Sequence, residues 1–132
     1  MADAPFPMQR LKARPEFLAA AKAPSCAKGA VVIQMRPRGD LDPSVRVGFT
    51  ATRKIGGSVV RNRAKRRLRE AARLLLPEFA LPGVDYVLIA RAGTPTRAWP
   101  RLLDDVKSAL ISLAADCEKR ASAPAAPSSL SA

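Results

Sequence analysis

The segment VRVGFTATRKIGGSVVRNRAKRRLREAARLLL runs from Val45 to Leu76 and changes its period midway. Through Lys54, Val45, Val47, Phe49 and Ala51 alternate with Arg46, Gly48, Thr50 and Thr52, which predicts a strand with two different faces. Gly56, Gly57 and Ser58 break the strand, and Ser58 is the natural N-cap of a following helix. On a helical wheel advancing about 100° per residue, Val60, Ala64, Leu68, Ala71 and Leu75 fall within an arc of about 80°. This predicts one core-facing stripe. Asn62, Arg66, Arg69 and Arg73 fall on the opposite side, with Lys65 at their border. Arg67 lies near the core edge, where its stem can pack while its head reaches water.

The charge on this segment is one-sided. From Val59 to Leu76 there are seven Lys or Arg residues and one acid, Glu70. Solvated surfaces usually intersperse the two signs. Like charges one turn apart also weaken a helix. From Arg46 to Leu76 the excess is +9, out of a net +12 for the whole chain. Such a concentration points to a polyanion, and the arginine forks suit phosphate. A membrane-surface helix would need more bulky apolar residues than this stripe provides.

Outward from the segment, Arg14-Pro15-Glu16 opens a short helix over 15–22 that Pro24 ends, with Phe17 as its aromatic. Ala30–Arg38 reads as a strand, and the Gly39–Ser44 turn would join it to the next strand as a hairpin. Asp85–Arg91 is a short apolar run, hence a buried strand. Leu102, Leu103, Val106, Ala109, Leu110 and Leu113 recur at helical spacing after Pro100. The order helix, strand, strand, helix, strand, helix predicts an α+β sandwich with helices covering an antiparallel-rich sheet. The expected organisation is a flexible N-terminus at 1–8, one α/β domain at 9–120, and a disordered Ala/Pro/Ser tail at 121–132.

The chain of 132 residues contains no histidine, so Ser-His and Cys-His catalysis are excluded. Cys26 and Cys117 are far apart and form no zinc motif. Asp104 and Asp105 are adjacent, but neighbours on a helix diverge, and the pair reads as solvated surface. No phosphate-binding glycine loop and no secretion signal is present, and no apolar run of about 18 residues occurs. A standalone nuclease is the least favoured reading. The charge pattern leaves a structural RNA-binding protein and a DNA-binding module open.

The run RNRAKRRLRE, Arg61–Glu70, follows Gly56-Gly57-Ser58-Val59-Val60 and resembles the signature of the bacterial ribonuclease P protein family. RLKARPEF, RVGFTATRKIGGSVV and DYVLIAR resemble other pieces of that family in the same order, covering residues 10 to about 115. The resemblance implies an α-β sandwich similar to domain 2 of ribosomal protein S5, with a left-handed βαβ crossover. It also implies a cytoplasmic protein with no catalytic residues of its own. Its partners would be the ribonuclease P catalytic RNA and precursor tRNA, with no membrane and no DNA. The holoenzyme would remove the 5′ leader endonucleolytically with Mg2+ held mainly by RNA and substrate. By the same resemblance the 9–120 domain would bind RNA through Arg61, Asn62, Arg63, Lys65, Arg66, Arg67 and Arg69, to which the charge pattern adds Arg73, Arg53 and Lys54. Phe17 and Phe49 would line a cleft for the leader. At Ala21, one turn after Phe17, many members carry an aromatic, a departure from the family pattern.

Overall fold

The computed structural model describes residues 8–11, 14–39 and 41–122. The expected flexible segment at the N-terminus, apart from Met8, lies outside the described residues, as does the expected tail apart from Ala121 and Ser122, which continue the last helix. The elements in chain order are β1 (Met8–Arg10), α1 (Arg14–Ala21), β2 (Ser25–Lys28), β3 (Val31–Pro37), β4 (Val45–Thr50), a 3-10 turn (Arg53–Ile55), α2 (Ser58–Phe79), β5 (Val84–Ala90) and α3 (Trp99–Ser122). The three helices, the two principal early strands and the later strand match the expected order. The short strands β1 and β2 are additions. Neither carries an alternation: Ser25-Cys26-Ala27-Lys28 is one of them, and it is mostly exposed.

The sheet order is β1-β4-β5-β3-β2. β5 pairs parallel with β4 and antiparallel with β3. The expected β3–β4 hairpin therefore does not form, because β5 lies between the two strands. Its residues explain this: only Ile89 is less than fully buried, and a strand apolar on both faces belongs at the centre of a sheet. Arg38 and Pro43 instead bracket the start of β5. The Arg38 N–H donates to the Gly83 carbonyl at 3.0 Å, and the Gly83 N–H donates to the Pro43 carbonyl at 3.0 Å.

Alternation gives the sheet two unlike faces. Val31, Ile33, Met35, Val45, Val47, Tyr86 and Leu88 form the main core with α2 and α3. Leu102, Val106, Ala109, Leu110 and Leu113 of α3 are all buried there, as their spacing predicts. The other face carries a smaller cluster of Leu11, Ala20 and Val87, with Phe17 and Ile89 packed against it.

α2 sits rotated from its sequence-predicted pose. Its buried residues are Ala64, Leu68, Ala71, Ala72 and Leu76. Val60 is 37% exposed, and Leu75 is only partly buried. Full burial of Leu68 and Leu76 contributes roughly 1.5–3 kcal/mol each. Gly57, with no side-chain cap bond, precedes the first turn in place of Ser58. Pro77 lies inside the last turn rather than ending the helix, since a proline there removes only a terminal bond.

Candidate nucleic-acid interface

The rotation of α2 decides which basic residues face outward. Arg63, Arg66, Arg69 and Arg73 are exposed together with Asn62, whereas Arg61, Lys65 and Arg67 are half-buried. Among the described residues, no carboxylate pairs with Arg63, Arg66 or Arg69. Arg73 bonds Glu70 one turn back, and this bond holds the Glu70 carboxyl below the ordinary carboxylate range. Arg53 and Lys54 are exposed on the 3-10 turn just before α2. Arg66 separates two open grooves. One is lined by Arg63, Arg67, Glu70 and Trp99, the other by Val59, Asn62, Lys65 and Arg69.

Arg67 has a different environment from its neighbours. Its Nη1 donates to the Thr94 carbonyl at 2.8 Å, and its Nη2 donates to the Arg97 carbonyl. Its guanidinium also lies 5.7 Å from the Trp99 ring centroid. The expected snorkelling head is thus fastened to the loop before α3. Asp105 belongs to the same junction and is not the solvated surface residue its sequence suggests. It is 8% exposed, accepts the Ala30 N–H at 3.0 Å, and pairs with Arg97 at 2.9 Å. The sequence carries no signal for the Arg67 or Ala30 bonds, because the partners are distant in the chain.

The two aromatics do not share one cleft. Phe49 points with Val45 and Val47 toward α2, and the Arg69 guanidinium lies 5.8 Å from its ring centroid. Phe17 lies on the opposite face of the sheet, against Gly48. A Cβ on Gly48 would fall 2.5 Å from the Phe17 ring carbons, so this close approach requires glycine. Ala21, the last residue of α1, is exposed.

The face that holds Phe17 also carries a charged cluster that the sequence pattern does not announce. Asp85 of β5 is in register with Arg36 of β3 and Arg46 of β4, so the three lie abreast. The Asp85 carboxylate is 0% exposed and accepts from Arg38 at 2.7 Å, from Arg46 at 2.8 and 2.9 Å, and from Arg36 at 3.3 Å. Arg46 also pairs with Glu16 of α1. Period two could place Asp85 on this face, but not name its partners.

Mg2+ finds no fit among these side chains. Among the described residues, no group of three or more His, Cys, Asp or Glu residues could hold a metal ion. Asp85, Asp105, Glu16 and Glu70 already face guanidiniums. No helix among the described residues is long and apolar enough to cross a membrane.

Comparison with known proteins agrees with this architecture. The sequence model of the family described as Ribonuclease P matches residues 7–114. The chain is 69% identical to the ribonuclease P protein component of Caulobacter vibrioides over 121 residues, 90% of this chain and 81% of that one. It is 50% identical to the ribonuclease P protein component of Ruegeria pomeroyi over 103 residues, 76% of this chain and 82% of that one. The solved structure of the Thermotoga maritima RNase P protein superposes with a TM-score of 0.66 at 25% identity, covering 76% of this chain and 94% of that one. The Staphylococcus aureus RNase P protein shares the fold with a TM-score of 0.67 at 24% identity, over 79% and 94% of the two chains. A main core under an outward-facing basic helix, the Arg61–Glu70 run on that helix, and relatives matched across most of their length lead to one conclusion: the chain belongs to the bacterial ribonuclease P protein family.

Proposed function

We propose that the protein binds the catalytic RNA of ribonuclease P and the 5′ leader of precursor tRNA, and assists Mg2+-dependent endonucleolytic removal of that leader in the cytoplasm. The observation that carries this reading is the exposed row Asn62, Arg63, Arg66 and Arg69 on α2, whose three guanidiniums have no carboxylate partner among the described residues. A row of uncompensated guanidiniums on a rigid helix screens phosphate repulsion and fixes the register of an RNA backbone. Membership of the ribonuclease P protein family supports ribonuclease P RNA as that partner. The RNA subunit would supply the active site and hold the metal, since the carboxylates nearest these faces already serve arginines.

On this reading the protein acts by positioning. α2 would engage the catalytic RNA, while Phe17, Arg36 and Arg46 on the other sheet face would receive the single-stranded leader. Holding leader and cleavage site together makes the encounter effectively intramolecular.

The test is cleavage of a precursor tRNA carrying its 5′ leader at low Mg2+, by bacterial ribonuclease P RNA with and without the protein. A large gain in rate or substrate affinity, with no cleavage by protein alone, is expected. Tight salt-sensitive RNA binding without that gain would favour a structural RNA-binding role instead.

A further inference from the structure

The face of the sheet opposite Phe17 holds a second feature, which the leader leaves unused and which the α2 row borders at Arg69. Between the edge strand β1 and α2 runs a groove of about 240 Å3. Its floor is apolar, made by Val47 and Phe49 of β4 with Ala72 and Leu76 of α2. Its rim is basic, with Arg10 on one side and Arg69 and Arg73 on the other. The volume falls below the ~300–1,000 Å3 of pockets that enclose drug-sized ligands. Glu70 holds Arg73, so an apolar slot of this size beside the guanidiniums of Arg10 and Arg69 calls for a small flat apolar group bearing an anion.

We infer that the groove receives one unstacked nucleotide of the RNA subunit, its base against Phe49 and its phosphate on Arg69 and Arg10. This rests on the RNA-binding reading above. Charge complementarity supports it, since Arg10 and Arg69 pair with no carboxylate among the described residues and match a phosphate. Continuity supports it as well. Arg69 borders both this groove and the one lined by Asn62, Lys65 and Arg66, so an RNA strand following α2 reaches Phe49 without leaving the basic surface. The outer face of Phe49 is covered by the Arg69 guanidinium, 5.8 Å from the ring centroid, and an entering base would take that place while Arg69 turns to its phosphate. The RNA subunit is favoured over the leader as source, because the sheet separates this groove from Phe17.

The probe is a ribonuclease P RNA transcript, with a separate leader oligonucleotide as second arm. Phe49→Leu keeps apolar bulk over the core, and Arg10→Gln removes a rim charge at a site remote from the α2 row. Each is expected to weaken transcript binding at least about five-fold, the lower end of the effect of removing one stacked ring or one phosphate partner. Thermal unfolding monitored in parallel should show both variants folded, and Arg10→Gln keeps the test decisive if Phe49→Leu is destabilised. Transcripts carrying 5-iodopyrimidines should cross-link to the Val47–Arg53 peptide, whose sole aromatic is Phe49. Unchanged affinity in Arg10→Gln and in folded Phe49→Leu would overturn the assignment, as would a cross-link formed with the leader alone. Failure of the unaltered protein to bind the transcript would overturn the RNA-binding reading, and this assignment with it. Tight binding with unaffected variants overturns this assignment alone.

Discussion

Arg46 and Asp85 stand opposite each other in the parallel β4–β5 ladder and share two hydrogen bonds, of 2.8 and 2.9 Å, between one guanidinium and one buried carboxylate. A forked pair of this kind fixes the arginine's plane as well as its position. Asp85 also accepts from Arg36 and Arg38, so a single negative charge organises three positive ones on the sheet face beside α1.

Asp85→Asn keeps the shape and removes the charge. Three guanidiniums are then left around a neutral amide that itself carries donors. Breaking a buried ion pair by neutralising one partner costs about 3–5 kcal/mol, and the expected loss lies in that range. Urea unfolding measures it. A loss under about 1 kcal/mol, the scale of an exposed ion pair, would show that the cluster is open to water.

Arg66 and Arg67 are adjacent in sequence and should behave as opposites. Arg66→Ala is expected to leave stability within about 0.5 kcal/mol, as exposed substitutions do. It should weaken RNA binding and reduce the salt slope by about 0.7–0.9 for each phosphate that it no longer neutralises. Arg67→Lys keeps the charge but cannot satisfy two carbonyls with a planar fork while lying over Trp99. Its expected effect is a lowered melting temperature with nearly unchanged RNA affinity. Paired titrations and melts of the two variants check the assignment, and a reversed pattern would contradict it.

Tyr86 makes stability depend on alkaline pH. It is the chain's one tyrosine, and burial pushes its phenol up to about 12, although its hydroxyl oxygen also accepts the Leu81 N–H at 2.9 Å. The folded state therefore favours the protonated form. That contribution is complete below the unfolded value of about 10 and is lost as pH rises from there to about 12. Tyr86→Phe should cost about 1 kcal/mol at neutral pH through the missing acceptor, yet lose less stability than the parent across that alkaline window. Phenolate absorbance in the unaltered protein reports the titration from this residue alone.

These cases show what is legible in the sequence. The strand at Val45–Thr50 and the spacing of Leu102, Val106 and Leu113 are readable because period maps directly onto burial. The basic row is readable because charge does not depend on the exact helix pose. The pose itself is not, since Val60 and Leu75 compete with Ala72 and Leu76 for the core and only docking on the sheet decides between them. The hairpin fails for a related reason, as strand order depends on which strand is apolar on both faces. Asp85 and Asp105 are unreadable as organisers because their partners in Arg46 and Ala30 lie dozens of residues away.

The last prediction concerns Gly48 and Phe17. A methyl group at Gly48 would sit 2.5 Å from two Phe17 ring carbons and 3.3 Å from the Leu11 Cβ, so Gly48→Ala must lift the ring off the sheet. Overpacking of this kind costs about 1–3 kcal/mol. The lifted ring would also leave the surface on which a leader base could stack, beside the Arg36–Asp85–Arg46 row. Affinity for precursor tRNA should therefore fall while affinity for mature tRNA stays level. Phe17→Leu separates the two effects, since it retains apolar filling against Val87 and Ile89 and removes only the aromatic face. It should lower precursor affinity by roughly five-fold or more with a smaller loss of stability. Competition binding of precursor and mature tRNA to the holoenzyme decides the matter: equal losses for both RNAs would make Phe17 a packing residue alone.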